Sequence, residues 1–341
     1  MNYFFNNINF IGFLSLTVFF LSFFLFYIYI YKNIYKNNFF SKKSDHKSHK
    51  IRIVNNGGII AIPIFLITNL FFYFNNIIEI NYEEFSSRYY LLFFGISCLF
   101  ILSILDEVYN ISAKVRLFTQ ITIAILIIPI FKFPIFSYVP SKLDLLIITY
   151  LMVYIINVTN FIDGTDGALA ITSLIFHISI VILSFFDGTI YPATIICIIS
   201  SSILVAFLIF NKPDAKIFMG DTGSIPFGLI NAYLLIFLFQ KELFIFAIVL
   251  FFYPLLDITL TFIRKIYNKI PPWERLFDYY FLNPVVLGNK NHKYVFNKLL
   301  LISLLNMSCA FIHYFTKNNY ILLLLVFDFL LIYQFSLFKK K

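Results

Sequence analysis

Residues 143–167 read LDLLIITYLMVYIINVTNFIDGTDG. From Leu143 to Ile156 the only side chains outside the hydrophobic class are Asp144 and Thr149, and then the chain turns abruptly polar, ending in two Asp-Gly pairs. An apolar helix of roughly 20 residues is what a bilayer's hydrocarbon requires, and a sudden polar turn at its end marks the place where such a helix meets water. The pattern recurs along the sequence. Sixty per cent of the 341 residues are hydrophobic, 13% are charged and Phe occurs 47 times, more apolar surface than one soluble core needs. The expected fold is an all-α, polytopic membrane helical bundle of about 10–11 spans. Their approximate limits are 8–31, 58–78, 87–105, 115–131, 143–162, 168–186, 189–210, 222–240, 242–263, 295–315 and 319–338. The whole of 1–341 forms a single transmembrane domain in this reading, and the first apolar run, which lacks a basic leader and a small-residue cleavage site, is expected to be retained as a span.

Charge gives the bundle a direction. Twenty of the 26 basic residues fall in the odd-numbered loops and the C-terminal tail, five fall in the even-numbered loops, and Lys298 lies at a helix edge. Lys and Arg accumulate on the cytoplasmic side of membrane proteins, so the odd loops, at about 32–57, 106–114, 157–167, 211–221 and 264–294, are expected inside and the N-terminus outside. The formal charge of +9 belongs to that asymmetry and implies no nucleic-acid partner. Cys98, Cys197 and Cys309 stand singly in apolar runs, a usage that suggests neither disulfides nor a zinc site.

The unusual polar clusters all fall in odd loops. Asp106-Glu107 places adjacent acids where a span meets water, able to bind a cation or to share a proton, with helix-end acids answering Lys114 and Arg116 as the plain alternative. Asn157-Val-Thr-Asn160-Phe-Ile-Asp163-Gly164-Thr-Asp166-Gly167 converges carboxylates, amides and backbone donors on one turn at low dielectric. Phe218-Met-Gly-Asp221-Thr-Gly-Ser224 opens a helix whose first amides favour a phosphate, with Asp221 as a hard oxygen ligand. A capped helix start would also explain Asp221. Phosphate and metal together imply a phosphoanhydride substrate.

Taken together these clusters resemble the polyprenyl-phosphate N-acetylhexosamine-1-phosphate transferase family over residues 45–295, approximately. Asp106-Glu107 followed by Ser112, Arg116, Leu117 and Gln120, then Asn157 to Gly167, then Phe218 to Ser224, match its motifs in order, and Ser48-His49 with Gly57-Gly58 resembles its first loop. The resemblance implies transfer of N-acetylhexosamine-1-phosphate from a UDP-sugar to undecaprenyl phosphate, with release of UMP, in the inner membrane of a bacterial-type cell. It implies magnesium as cofactor, with manganese as the alternative, held by Asp221 and Asn160. Asp106, assisted by Glu107, would be the base or orient the lipid phosphate. Asp163, Gly164, Asp166 and Phe218 would serve the nucleotide, and His49, Arg116, Arg275 and His292 the phosphates or lipid. The Asn-Phe-Ile-Asp-Gly form is closer to the GlcNAc, FucNAc or QuiNAc branch than to the phospho-MurNAc-pentapeptide branch. Two positions depart from the family: Glu107 replaces a second Asp, and Leu276 or Phe277 stands at the place of a loop histidine.

Two rival readings follow from the same residues. An ion-coupled transporter would also carry acids within helices, but would need broken helices at the midplane. A degenerate, non-catalytic relative would account for the two departures. Asp257 reads equally as bundle packing or as support for the site, whereas His177, His313 and Asp328 read as structural and Trp273 as an interface anchor.

Overall fold

A computed structural model of the chain describes residues 8–35, 53–74, 89–131, 134–136, 138–271 and 279–338. The helices are α1 (Ile8–Tyr35), α2 (Gly58–Phe74), α3 (Tyr89–Tyr109), α4 (Ala113–Ile127), α5 (Ser141–Ile162), α6 (Ala168–Leu183), α7 (Tyr191–Asn211), α8 (Asp221–Gln240), α9 (Phe244–Leu250), α10 (Phe252–Tyr267), α11 (His292–Thr316) and α12 (Val326–Ser336). A 3₁₀ turn prolongs α4 to Ile130, another leads from Asn319 into α12, and a four-residue helix spans Asn283–Val286. Among the described residues the only strand-like pairing is one parallel bridge between Val54 and Ile217. Among the described residues eight helical segments are long and apolar enough to cross a bilayer singly, and α2 and α6 are shorter apolar helices. The protein is a multi-pass helical membrane protein, and each expected span coincides with a helix or a helix pair.

The expected straight span at 242–263 is instead the pair α9 and α10, bent by 70°. Pro254 supplies the reason. Its ring collides with the carbonyl four residues back and it has no amide to donate there; that carbonyl belongs to Leu250, where α9 ends.

At the centre stands α8, whose entire apolar window is buried, against 22% for α1. It packs most extensively on α5. Gly228 permits that approach, because a Cβ there would lie 2.7 Å from the Ile156 carbonyl oxygen. Backbones brought this close gain dispersion contacts, the main attraction between helices in lipid. The polar groups inside this packing are paired. His177 Nε2 lies 2.8 Å from Asn231 Oδ1 and Ser200 Oγ 2.8 Å from His177 Nδ1, while Asn231 Nδ2 donates to Thr159 and Ser173. His177 therefore joins α5, α6, α7 and α8. Asp328 is likewise structural, accepting from Asn306 Nδ2 at 3.0 Å, and His313 lies 3.4 Å from the Asn318 carbonyl oxygen.

Cross-loop contacts show which connections share an end. At one end lie 53–58, 106–116, 157–167, 211–221 and 279–292; at the other, Phe136 meets Phe239 and Phe244, and Phe186 meets Phe315.

Candidate functional site

Five loops meet at the polar end, held first by backbone. The segment Val54–Gly58 runs beside Lys216–Met219: Val54 N donates to Lys216 O, Phe218 N to Val54 O, Gly57 N to Phe218 O and Gly58 N to Met219 O, all at 2.9–3.1 Å. The first turn of α2 consequently lies against that of α8. A side chain at Gly58 would collide with the backbone of Thr222 and Gly223, so the paired glycines Gly57-Gly58 are a requirement of this crossing. Two helix N-termini side by side point orphan amides and the positive ends of their dipoles toward the same region.

The acids come next. Asp106 ends α3, and after the short link through Asn110, which has positive φ, α4 begins with Ser112 as its cap, accepting from Val115 N. This reversal returns Arg116 to the acids. Its Nη1 donates to Asp106 Oδ2 at 2.9 Å and to Asp221 Oδ2 at 3.1 Å, so two acids far apart in the chain share one nitrogen. All three side chains remain partly exposed, at 22%, 15% and 25%. Asn157 Nδ2 donates to Gln120 Oε1 at 2.8 Å and ties α5 to α4. Asn160 Oδ1 accepts from Ser224 Oγ at 2.7 Å and ties α5 to α8. Asp163, just past the end of α5, lies within electrostatic reach of Asp221. Burial foremost, and then the charge of Asp221, push its carboxyl well above the usual carboxylate range, while a hydrogen bond from the Gly220 amide opposes this.

The Thr165–Gly167 turn is braced from behind. Asp166 is fully buried; its Oδ2 accepts from the amides of Asp214 and Ala215, each at 3.1 Å, and its Oδ1 lies 3.4 Å from His292 Nδ1. Asp166, the residue expected at the nucleotide base, thus gives its Oδ2 to the amides of the 211–221 loop. His292 Nδ1 also lies 2.7 Å from Thr165 Oγ1, so it holds the turn. Gly164 faces Phe281 and Leu282, whose loop is fixed in turn by Asp257. That side chain accepts from Tyr280 N, Phe281 N and Tyr253 Oη, and so ties α10 to the loop beneath Gly164.

Glu107 parts from its neighbour. Adjacent positions on a helix point about 100° apart; Asp106 faces Arg116, and Glu107 acts electrostatically on Tyr29 of α1. Phe218 is half-buried, with its backbone committed to Val54. His49, Arg275 and Trp273 lie outside the described residues. Asn211 was given no role from sequence, yet it takes the Gly167 amide on Oδ1 and gives Nδ2 to Ile217 O, joining two clusters. An amide at the end of an apolar helix, facing a polar loop, was the available signal.

The donor set suits a hard cation. Asp106, Asp163, Asp221 and Asn160 offer oxygen as ligand atoms, the charge of Asp221 adds to the cost of ionising Asp163, and among the described residues no cluster of three or more His, Cys, Asp or Glu forms a ready cage. Magnesium is held in this way, by one or two carboxylates with water and substrate phosphates completing the shell; a structural zinc site would need more protein ligands.

Residues 89–239, from the start of α3 to the last turn of α8, match the profile of "Glycosyl transferase family 4". The chain is similar to a Bacillus subtilis (strain 168) protein named "Probable undecaprenyl-phosphate N-acetylglucosaminyl 1-phosphate transferase", 33% identical over 189 residues that make up 52% of each chain. It is 30% identical over 194 residues to the phospho-N-acetylmuramoyl-pentapeptide-transferase of Oceanobacillus iheyensis, covering 50% of this chain and 57% of that one. It is also 33% identical over 145 residues to the decaprenyl-phosphate N-acetylglucosaminephosphotransferase of Mycobacterium leprae, 36% of each. The chain thus spans about half the length of the first of these curated relatives. The matched segment contains Asp106, Arg116, Asn160, Asp163, Asp166, Phe218 and Asp221, and leaves His49, Arg275 and His292 outside.

Proposed function

We propose, from the match of residues 89–239 to the glycosyl transferase family 4 profile, that the protein transfers N-acetylhexosamine-1-phosphate from a UDP-sugar to undecaprenyl phosphate. The site lies on the cytoplasmic face of a bacterial-type inner membrane, and the product initiates a cell-envelope polysaccharide such as an O-antigen. The observation that carries the reading is the Arg116 bridge, which gathers Asp106 from α3 and Asp221 from α8 beside the Asn160–Asp163 turn.

A lipid phosphate oxygen attacks the β-phosphorus of the UDP-sugar, the bond from that phosphorus to the bridging oxygen breaks, and UMP leaves. Asp106, at the membrane edge of the cluster, orients the lipid phosphate and takes a proton where one is present. Arg116 offers five donors in a rigid fork suited to phosphate, and the amides opening α2 and α8 face the diphosphate. Asp221 and Asn160 would hold magnesium, which would supply positive charge to offset the charge developing on the phosphates. Asp163 and Gly164 form the floor on which the nucleotide rests, with the half-buried ring of Phe218 beside it, and Asp166 and His292 keep that floor rigid.

The test is an assay of the purified chain with a panel of UDP-N-acetylhexosamines, undecaprenyl phosphate and magnesium. One donor is expected to yield a lipid-linked sugar diphosphate and UMP in equal amounts. No transfer from any donor by a folded, correctly inserted protein would favour the degenerate relative and remove this reading.

A further inference from the structure

Arg116 is held by the two acids that the reaction needs most. Its single Nη1 bonds Asp106 Oδ2 at 2.9 Å and Asp221 Oδ2 at 3.1 Å, the position a small cation bridging those oxygens would take. A guanidinium stays charged at any pH a protein meets, so it leaves that position only by moving. We infer that Arg116 is a built-in counter-cation, which occupies the space in front of Asp221 in the substrate-free protein and competes there with the divalent metal. This rests on the reading of Asp221 as a metal ligand.

The competition has a physical basis. The three side chains are partly buried, so their charges are less screened than those at a free surface, and a divalent ion arriving at Asp221 meets a positive nitrogen already within hydrogen-bond distance. Magnesium also demands short oxygen contacts in near-octahedral geometry, which a neighbouring guanidinium on the same carboxylate oxygen obstructs. The incoming phosphates relieve the conflict by giving the fork new acceptors, while Asp106 keeps Arg116 from swinging away. Metal and phosphate should therefore bind with positive coupling, and the substrate-free protein should bind metal weakly.

The test measures Mn²⁺ binding to the full-length protein in nanodiscs, without substrate, from the electron paramagnetic resonance signal of free Mn²⁺. Arg116→Gln is expected to tighten Mn²⁺ binding about tenfold, within the usual range of coupling between sites, although the same change lowers turnover in the transfer assay. Arg116→Ala carries the same expectation should the glutamine variant insert poorly, whereas Arg116→Lys, which keeps the charge, should stay near the parent. A residue with a purely structural role would weaken both metal binding and turnover. Neutral variants that bind Mn²⁺ no more tightly than the parent overturn the inference. Asp221→Asn separates the two layers: it should abolish the tightening in an Arg116→Gln background, and parental Mn²⁺ binding by Asp221→Asn alone would unseat Asp221 as ligand and the inference with it. The transferase reading itself stands or falls on product formation in the donor panel.

Discussion

The two ends of the bundle are closed by different chemistry. At one end the helices are joined by rings, Phe136 to Phe239 with centroids 6.1 Å apart and Phe186 to Phe315 at 4.9 Å, and the acids there serve nearby backbone: Asp144 accepts the amides of Ile135 and Phe136 at 2.7 and 3.2 Å, and Asp187 that of Thr189 at 2.9 Å. At the other end, carboxylates, amides and a guanidinium from separate loops cross-link one another. The first end shows these helices connected by aromatic contacts and by acids turned to nearby backbone amides. Polar residues in a membrane protein are costly unless paired or used. The concentration of partly exposed acids around Arg116 therefore exceeds what closure requires, and its surplus is what a charged substrate would meet.

This contrast can be broken most severely at Asp221. Asp221→Asn keeps the shape and much of the capping capacity but removes a charge from the cluster. Turnover should fall at least about tenfold, equivalent to roughly 1.4 kcal/mol of transition-state stabilisation, while membrane insertion and yield stay near parental. Raising magnesium should restore part of the loss if weaker metal binding is the cause. Parental turnover at low magnesium would leave Asp221 as a helix cap and dissolve the distinction between the ends.

The opposite variant is Asp144→Ala. Asp144 is fully buried, and removing it strands two backbone amides, at a cost of about 1–3 kcal/mol. Thermal unfolding in detergent should shift down accordingly, with turnover per folded molecule unchanged. A loss of turnover without a loss of stability would show that this end also touches the reaction, or controls it.

How much of this was legible from the residues alone depends on which interaction decided each feature. Spans follow from apolar length, and every expected one is present as a helix or pair. The common end of the odd loops follows from charge parity, and it is the end where Asp106, Arg116, Asn160, Asp163 and Asp221 meet. The 70° break between α9 and α10 was missed, although Pro254 announces it, because hydropathy alone runs through a proline. A broken span is what a transporter would show, but Asp257 beyond the break gives its oxygens to Tyr253, Tyr280 and Phe281 and so anchors a loop rather than lining an ion path. The inward aim of Asp166 was also hidden, since its partners are backbone amides 48 and 49 residues away, and no local pattern records a pairing of that kind. The same holds for Val54–Gly58 beside Lys216–Met219.

The smallest expected effect sharpens the comparison within the polar end itself. Asp106-Glu107 reads in sequence as a carboxylate pair, and a pair acting together would make both positions intolerant. The helix sets the two about 100° apart: Asp106 meets Arg116 at 2.9 Å, and the charge of Glu107 is felt at Tyr29, whose hydroxyl donates to Asn55 O at 3.2 Å. Glu107→Asp withdraws the carboxylate by one methylene and keeps its charge, so its field at the cluster changes little at the effective dielectric of a partly solvated site. Turnover should stay within about twofold of the parent, well under the 1.36 kcal/mol that a tenfold change represents. Asp106→Asn, made alongside, should nearly abolish transfer, because the charge it removes is the one bonded to Arg116. If Glu107→Asp instead falls as far as Asp106→Asn, the two acids act as one group and the separation of their faces has no functional meaning; if it rises above the parent, the shorter acid reaches the cluster better than glutamate does.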